Sequence, residues 1–120
     1  MTTDDERMMR LAVDTAVDAR LRSRPNPWVG AVVVATDGQV FCGATMQPGE
    51  AHAEVVALNA AGHDAHGATL YTTLEPCSHT GKTGPCTQVI IDAKISRVVV
   101  GLIDPDKQVA GNGIKQLRDA

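Results

Sequence analysis

A chain of 120 residues has room for one compact domain and one site, and no apolar run in it approaches the roughly 20 residues that a membrane helix needs. The opening Met1-Thr2-Thr3-Asp4-Asp5-Glu6 is acidic and polar, the wrong chemistry for a signal or transit peptide, so a cytoplasmic location is expected. A net charge of −3 argues against broad electrostatic binding to nucleic acid, and three cysteines, an odd count, favour metal or catalytic use over a disulfide framework.

In chain order, the first predicted element is an amphipathic helix from about Asp5 to Arg22. Met8, Leu11, Ala12, Thr15, Ala16 and Ala19 recur at three- and four-residue spacing and form its apolar face. Arg24-Pro25-Asn26-Pro27 ends it, because proline disfavours helix for itself and for the residue before it. Two strands follow, Val29 to Ala35 and Gln39 to Thr45, joined by a hairpin turn at Thr36-Asp37-Gly38. A second helix is predicted over 51–61, with Ala53, Val56, Ala57, Ala60 and Ala61 buried, and Gly62 stops it. Thr69 to Thr73 reads as a short strand, Pro85 to about Lys94 as a third helix, and Arg97 to Gly101 as an apolar strand of the buried kind. Asp104-Pro105-Asp106 reads as a turn and 113–120 as a weakly marked helix. Strands alternating with helices predict one α/β domain over 1–120, a three-layer α/β/α arrangement around a central mixed sheet.

The chemistry concentrates in four residues. His52-Ala53-Glu54 falls at the predicted start of the second helix, Pro76-Cys77 precedes the third, and Cys86 falls in its first turn behind the helix-opening Pro85. One imidazole and two thiolates (His52, Cys77 and Cys86) make three ligands for a single zinc ion, and catalytic zinc keeps a fourth position for water. Helix N-termini favour negative charge, hence thiolate over thiol. Glu54 stands two residues after His52, where a carboxylate can take a proton from an activated water and pass it on to a leaving amine. His-x-Glu followed by Pro-Cys is the known signature of zinc deaminases. Here eight residues separate the two cysteines, where two are usual.

That long segment, Leu74-Glu75-Pro76-Cys77-Ser78-His79-Thr80-Gly81-Lys82-Thr83-Gly84-Pro85-Cys86, resembles the riboflavin-biosynthesis deaminases, which carry an insert with His, Gly and a basic residue between their zinc cysteines. Pro25-Asn26-Pro27-Trp28-Val29-Gly30, Ala51-His52-Ala53-Glu54-Val55 and Asp104-Pro105 are similar to the same family in the same order, so the resemblance runs over nearly the whole chain. It implies a cytidine-deaminase-like fold and the hydrolytic deamination of 2,5-diamino-6-ribosylamino-4(3H)-pyrimidinone 5′-phosphate, with release of ammonia. It further implies that Asn26 contacts the substrate ring or ribose, and that His79 and Lys82 hold the substrate and its phosphate. Lys82 suits that task as a flexible point charge in an otherwise acidic chain. Homo-oligomers, dimeric or larger, and a reductase domain or protein of the same pathway are the partners it implies. No reductase domain is expected within 1–120.

The family commonly carries a histidine seven residues before the zinc histidine, and here that position is Thr45. Two other readings therefore stand beside the first: the same zinc chemistry on another nucleobase, nucleoside or nucleotide, or a catalytically silent, zinc-stabilised module. A purely structural zinc site would call for a fourth protein ligand and have no use for Glu54. Among the remaining candidates, Cys42 reads as a small buried strand residue, and His63 and His66 as exposed loop residues.

Overall fold

The structure, a computed structural model, describes residues 3–17, 29–44, 52–73 and 86–101, the side chains of Thr3 and Cys86 excepted. Expectations for 18–28, 45–51, 74–85 and 102–120 lie outside the described residues. They include the last turn of the first helix, Asn26, Thr45, Cys77, His79, Lys82, the Asp104-Pro105-Asp106 turn and the tail helix.

Helix α1 spans Thr3–Val17, with Asp4, Asp5 and Glu6 in its first turn, where the unpaired N–H groups favour acids. Strands β1 (Gly30–Val34) and β2 (Val40–Ala44) form the expected hairpin. Its turn is closed by Ala35 N donating to Gln39 O at 2.8 Å and Gly38 N donating to Ala35 O at 3.0 Å. Gly38 sits at φ 92°, a conformation glycine adopts without steric cost. Both Gln39 donors, its side-chain amide and its backbone N–H, reach the Asp37 carboxylate and hold its pKa below the ordinary value.

Helix α2 (Ala53–Ala61) ends where predicted: Gly62 takes a positive φ of 57° and its N–H donates to Leu58 O. A short 3₁₀ turn over Gly62–Ala65 leads to β3 (Thr69–Thr72). Helix α3 (Cys86–Asp92) and β4 (Arg97–Val100) complete the described elements.

The four described strands lie in the order β2-β1-β3-β4, with β1 antiparallel to both neighbours and β3 parallel to β4. Period-2 alternation divides the side chains between two faces. Ala31, Val33 and Leu70 pack with Ala53, Ala57, Leu58 and Ala61 of α2 and Ile90 of α3. Val32 and Tyr71 pack on the opposite face against Ala12 of α1. The result is the expected three-layer α/β/α domain around a mixed sheet.

Three expectations about burial are corrected. Cys42 is exposed. It pairs with Val32 and so shares the α1 face, but on the outer strand β2, where α1 leaves Val40 and Cys42 uncovered. Ala60 is exposed and Val56 only half-buried, because in an alanine-rich helix the spacing of small residues does not single out one face. Strand β4 is half-buried rather than deeply buried, with Arg97 exposed, since it is the outermost strand on its side of the described sheet. His63 and His66 are exposed, as expected.

Candidate functional site

Strand polarity decides where the chemistry collects. Because β1 runs against β2 and β3, its first residue, Gly30, pairs with Ala44 at the end of β2, and its second, Ala31, pairs with Thr72 at the end of β3. Thr72 in turn pairs with Val100 at the end of β4. One rim of the sheet thus gathers the start of β1 and the ends of β2, β3 and β4. Every motif of the sequence lies in, or directly follows, a segment that joins this rim: 18–28 leads into β1, 45–51 leaves β2 and leads to His52, 74–85 leaves β3 and leads to Cys86, and the chain beyond Gly101 leaves β4. Open α/β sheets characteristically place their ligands beyond the carboxyl ends of the strands.

Close packing brings α2 to the same rim. A Cβ at Gly43, the penultimate residue of β2, would stand 2.5 Å from both Ala53 O and Ala57 N, so only glycine lets the first turns of the helix settle on the strand end. His52, half-buried, is the residue just before α2, in an extended conformation with φ −73° and ψ 164°. Its carbonyl accepts Val56 N–H at 3.0 Å, while its imidazole makes no capping hydrogen bond to the helix. Glu54, in the first turn, is only 4% exposed. A buried carboxylate is costly to keep in an apolar setting, and a helix N-terminus eases that cost. Among the described residues no buried side-chain nitrogen or oxygen lacks a hydrogen-bond partner. Cys86 opens α3, which packs against the α2 layer through the buried Ile90, with Val89 and Ala93 beside it.

The structure therefore places His52 and Glu54 at the rim, at the start of α2, and Cys86 at the start of α3, a helix on the same face of the sheet. Among the described residues no three metal-capable side chains converge, Cys77 and the Cys86 side chain being outside them. The donor chemistry of the expected set, one imidazole nitrogen and two thiolate sulfurs, fits zinc and not an oxygen-seeking ion such as magnesium or calcium.

A second polar cluster was not anticipated from the sequence. Asp5 in the first turn of α1 is 2% exposed and accepts the Tyr71 hydroxyl at 2.6 Å and both terminal nitrogens of Arg97, at 2.8 and 2.6 Å. Burial first, and the bond to Asp5 next, raise the Tyr71 hydroxyl above the ordinary tyrosine pKa. The bond to Asp5 likewise holds the Arg97 guanidinium above its ordinary value. Arg97 pairs with Thr69 at the far rim, so this cluster fastens α1 to β3 and β4 away from the helix start that carries His52.

The sequence profile of the cytidine and deoxycytidylate deaminase zinc-binding region matches residues 2–102. The riboflavin biosynthesis protein RibD of Synechocystis is 49% identical over 116 residues, which are 97% of this chain and 32% of that protein. Among solved structures, RibD of Acinetobacter baumannii superposes with a TM-score of 0.91 at 42% identity, covering 96% of this chain and 32% of that one. A Thermotoga maritima protein described as a diaminohydroxyphosphoribosylaminopyrimidine deaminase/5-amino-6-(5-phosphoribosylamino)uracil reductase superposes with a TM-score of 0.87, also at 42% identity, covering 96% of this chain and 34% of that one. The chain thus spans about a third of the length of these relatives. Among the described residues no helix is long and apolar enough to cross a membrane. With a profile match over most of its length and the fold of these neighbours, the chain belongs to the cytidine and deoxycytidylate deaminase zinc-binding family.

Proposed function

We propose that this chain hydrolyses the 2-amino group of 2,5-diamino-6-ribosylamino-4(3H)-pyrimidinone 5′-phosphate and releases ammonia, the deaminase step of riboflavin biosynthesis. The observation that carries the reading is the buried Glu54 in the first turn of α2, directly behind His52 at the rim where the motif-bearing segments meet. The names of the RibD relatives and of the Thermotoga deaminase/reductase support the substrate.

In this reading His52, Cys77 and Cys86 hold one zinc ion. When bound, zinc supplies the Lewis acidity that makes water a competent nucleophile near neutral pH. Glu54 takes a proton from the attacking water as its oxygen bonds to the amino-bearing ring carbon, and delivers that proton to the adjacent ring nitrogen. Glu54 then relays the second water proton to the amine, the carbon–nitrogen bond breaks, and ammonia leaves while a carbonyl remains on the ring. Burial of Glu54 keeps bulk water from competing for the proton. Asn26 orients the ring or ribose, and His79 and Lys82 hold the ribotide and its phosphate. Residues 1–120 act as a single deaminase domain in the cytoplasm, assembled with further copies of the chain, and a reductase domain or protein consumes the product.

Thr45, at a position where the family commonly has histidine, keeps a second reading in play, the same chemistry on another amino-bearing base, nucleoside or nucleotide. Ammonia release from the diaminopyrimidine ribotide by zinc-replete protein, run beside a panel of aminopyrimidines and aminopurines, tests both. Turnover confined to other panel members removes the riboflavin assignment, and no turnover of any amine leaves the silent zinc-stabilised module standing.

A further inference from the structure

At the rim, the start of β1 and the end of β3 are joined by one side chain that no motif includes. Thr73, half-buried, directly follows β3. Its backbone N–H donates to Gly30 O at 3.0 Å, and its hydroxyl accepts Gly30 N–H at 3.2 Å. These two hydrogen bonds form a closed ring between the start of β1 and the end of β3. On its other side, Thr72 O accepts Gly101 N–H at 2.9 Å, and a Cβ at Gly101 would stand 3.1 Å from Thr73 O. Thr73 thus sits between Gly30 and Gly101. The segment entering Gly30 carries Asn26, the segment leaving Thr73 carries Cys77, His79 and Lys82, and the segment leaving Gly101 carries Asp104-Pro105.

We infer that Thr73 is a positioning residue for the proposed ribotide site, whose hydroxyl latches the start of β1, which follows the segment carrying Asn26, to the end of β3, which precedes the segment carrying Cys77, His79 and Lys82. The inference rests on the proposed function and deepens it. The backbone bond persists under any substitution at this position, whereas the hydroxyl bond depends on the side chain. Its loss relaxes the relative placement of the two strand ends without removing a metal ligand or the proton-transferring carboxylate. Valine has nearly the shape of threonine and no acceptor, so Thr73→Val isolates the hydroxyl, and Thr73→Ser keeps it.

The experiment is steady-state deamination of the ribotide by the zinc-loaded full chain and by both variants, with zinc content and thermal unfolding measured in parallel. Thr73→Val is expected to raise KM by about 3- to 10-fold, the scale of one forfeited hydrogen bond, with kcat within about 2-fold and zinc content at the parental level. Thr73→Ser is expected to restore KM. An unchanged KM in Thr73→Val overturns the latch, as does an equal rise in both variants. Parallel loss of zinc, kcat and thermal stability also overturns it, in favour of a purely architectural role. Absence of turnover in the parent instead overturns the proposed function. The latch is then read by hydrogen exchange over peptides spanning residues 24–32, where faster exchange in Thr73→Val with parental exchange in Thr73→Ser supports it and equal exchange in all three chains overturns it.

Discussion

Two helices on opposite faces of the sheet each bury an acid in the first turn, Asp5 of α1 at 2% exposure and Glu54 of α2 at 4%. In the sequence the two look alike, since an acid near a helix start is stabilised by the helix itself. The fold gives them different work. Asp5 is gripped by Tyr71 and by both arms of the Arg97 fork at the far rim, with its lone pairs committed to joining α1 to β3 and β4. Glu54 stands at the rim where the motif-bearing segments attach, directly behind His52. On the proposed reading, a buried carboxylate acquires a structural or a chemical role from the strand ends it sits beside, not from its own helix.

Substitutions that remove charge while keeping shape break the comparison most sharply. The largest effect is expected from Glu54→Gln: turnover falls by roughly 10²–10⁴-fold, the span typical of a lost general acid–base, while zinc content holds. Residual activity near the parental rate, measured as ammonia release, would remove Glu54 from proton transfer. Cys77→Ala is expected to lose metal and thermal stability together, because metal binding contributes to folding free energy. Zinc content equal to the parent, read by atomic absorption, would strike Cys77 from the ligand set.

A smaller effect, on stability alone, is expected at the other acid. Asp5→Asn removes the charge that both Arg97 nitrogens and Tyr71 address, at a cost of about 1–3 kcal/mol in chemical denaturation, with kcat close to the parental value for the population that remains folded. A fall in kcat larger than the fall in folded fraction would contradict the division of labour drawn above. Gly43→Ala sharpens the same contrast from the backbone side. A methyl group 2.5 Å from Ala53 O and Ala57 N must push the start of α2 off the strand, so turnover is expected to fall further than the 1–3 kcal/mol typical of overpacking would explain through unfolding alone.

The smallest predicted effect depends on pH. Folding raises the Tyr71 pKa, so the folded chain keeps this proton where the unfolded chain, titrating near 10.0, begins to release it. The contribution is therefore complete below pH 10 and declines as the pH climbs toward the folded value. Tyr71→Phe should show a shallower alkaline loss of stability than the parent, read from denaturation midpoints at pH 9, 10 and 11. Identical slopes would mean that the hydroxyl is not held above its ordinary value.

Elements that depend on neighbours in sequence were legible in advance. The hairpin turn, the stop at Gly62 and the strands beginning at Thr69 and Arg97 all rest on local rules of turn chemistry and periodicity. The His52-Ala53-Glu54 spacing was legible for the same reason. What was not legible depends on residues far apart in the chain. Tyr71 and Arg97 lie 66 and 92 positions from Asp5, and no pattern within a window of one helix could pair them. The strand order, with β1 inserted between β2 and β3, has the same origin. The exposure of Cys42 follows from it, since alternation assigns a residue to a face but does not say whether a helix covers that part of the face. Asn26, Cys77, His79 and Lys82 lie outside the described residues; the role of Cys77 rests on its motif, and those of Asn26, His79 and Lys82 on resemblance.

The hairpin between β1 and β2 carries a practical consequence. Residues 36–39 are exposed, and a side chain at Gly38 would meet nothing within 4 Å. They turn at the margin of the sheet opposite Gly30 and Ala44, one strand of five residues away, or about 15 Å. A dye, affinity peptide or surface linker spliced there would report on or immobilise the protein without approaching the candidate site, whereas the same graft beside Gly43 or Thr73 would disturb it.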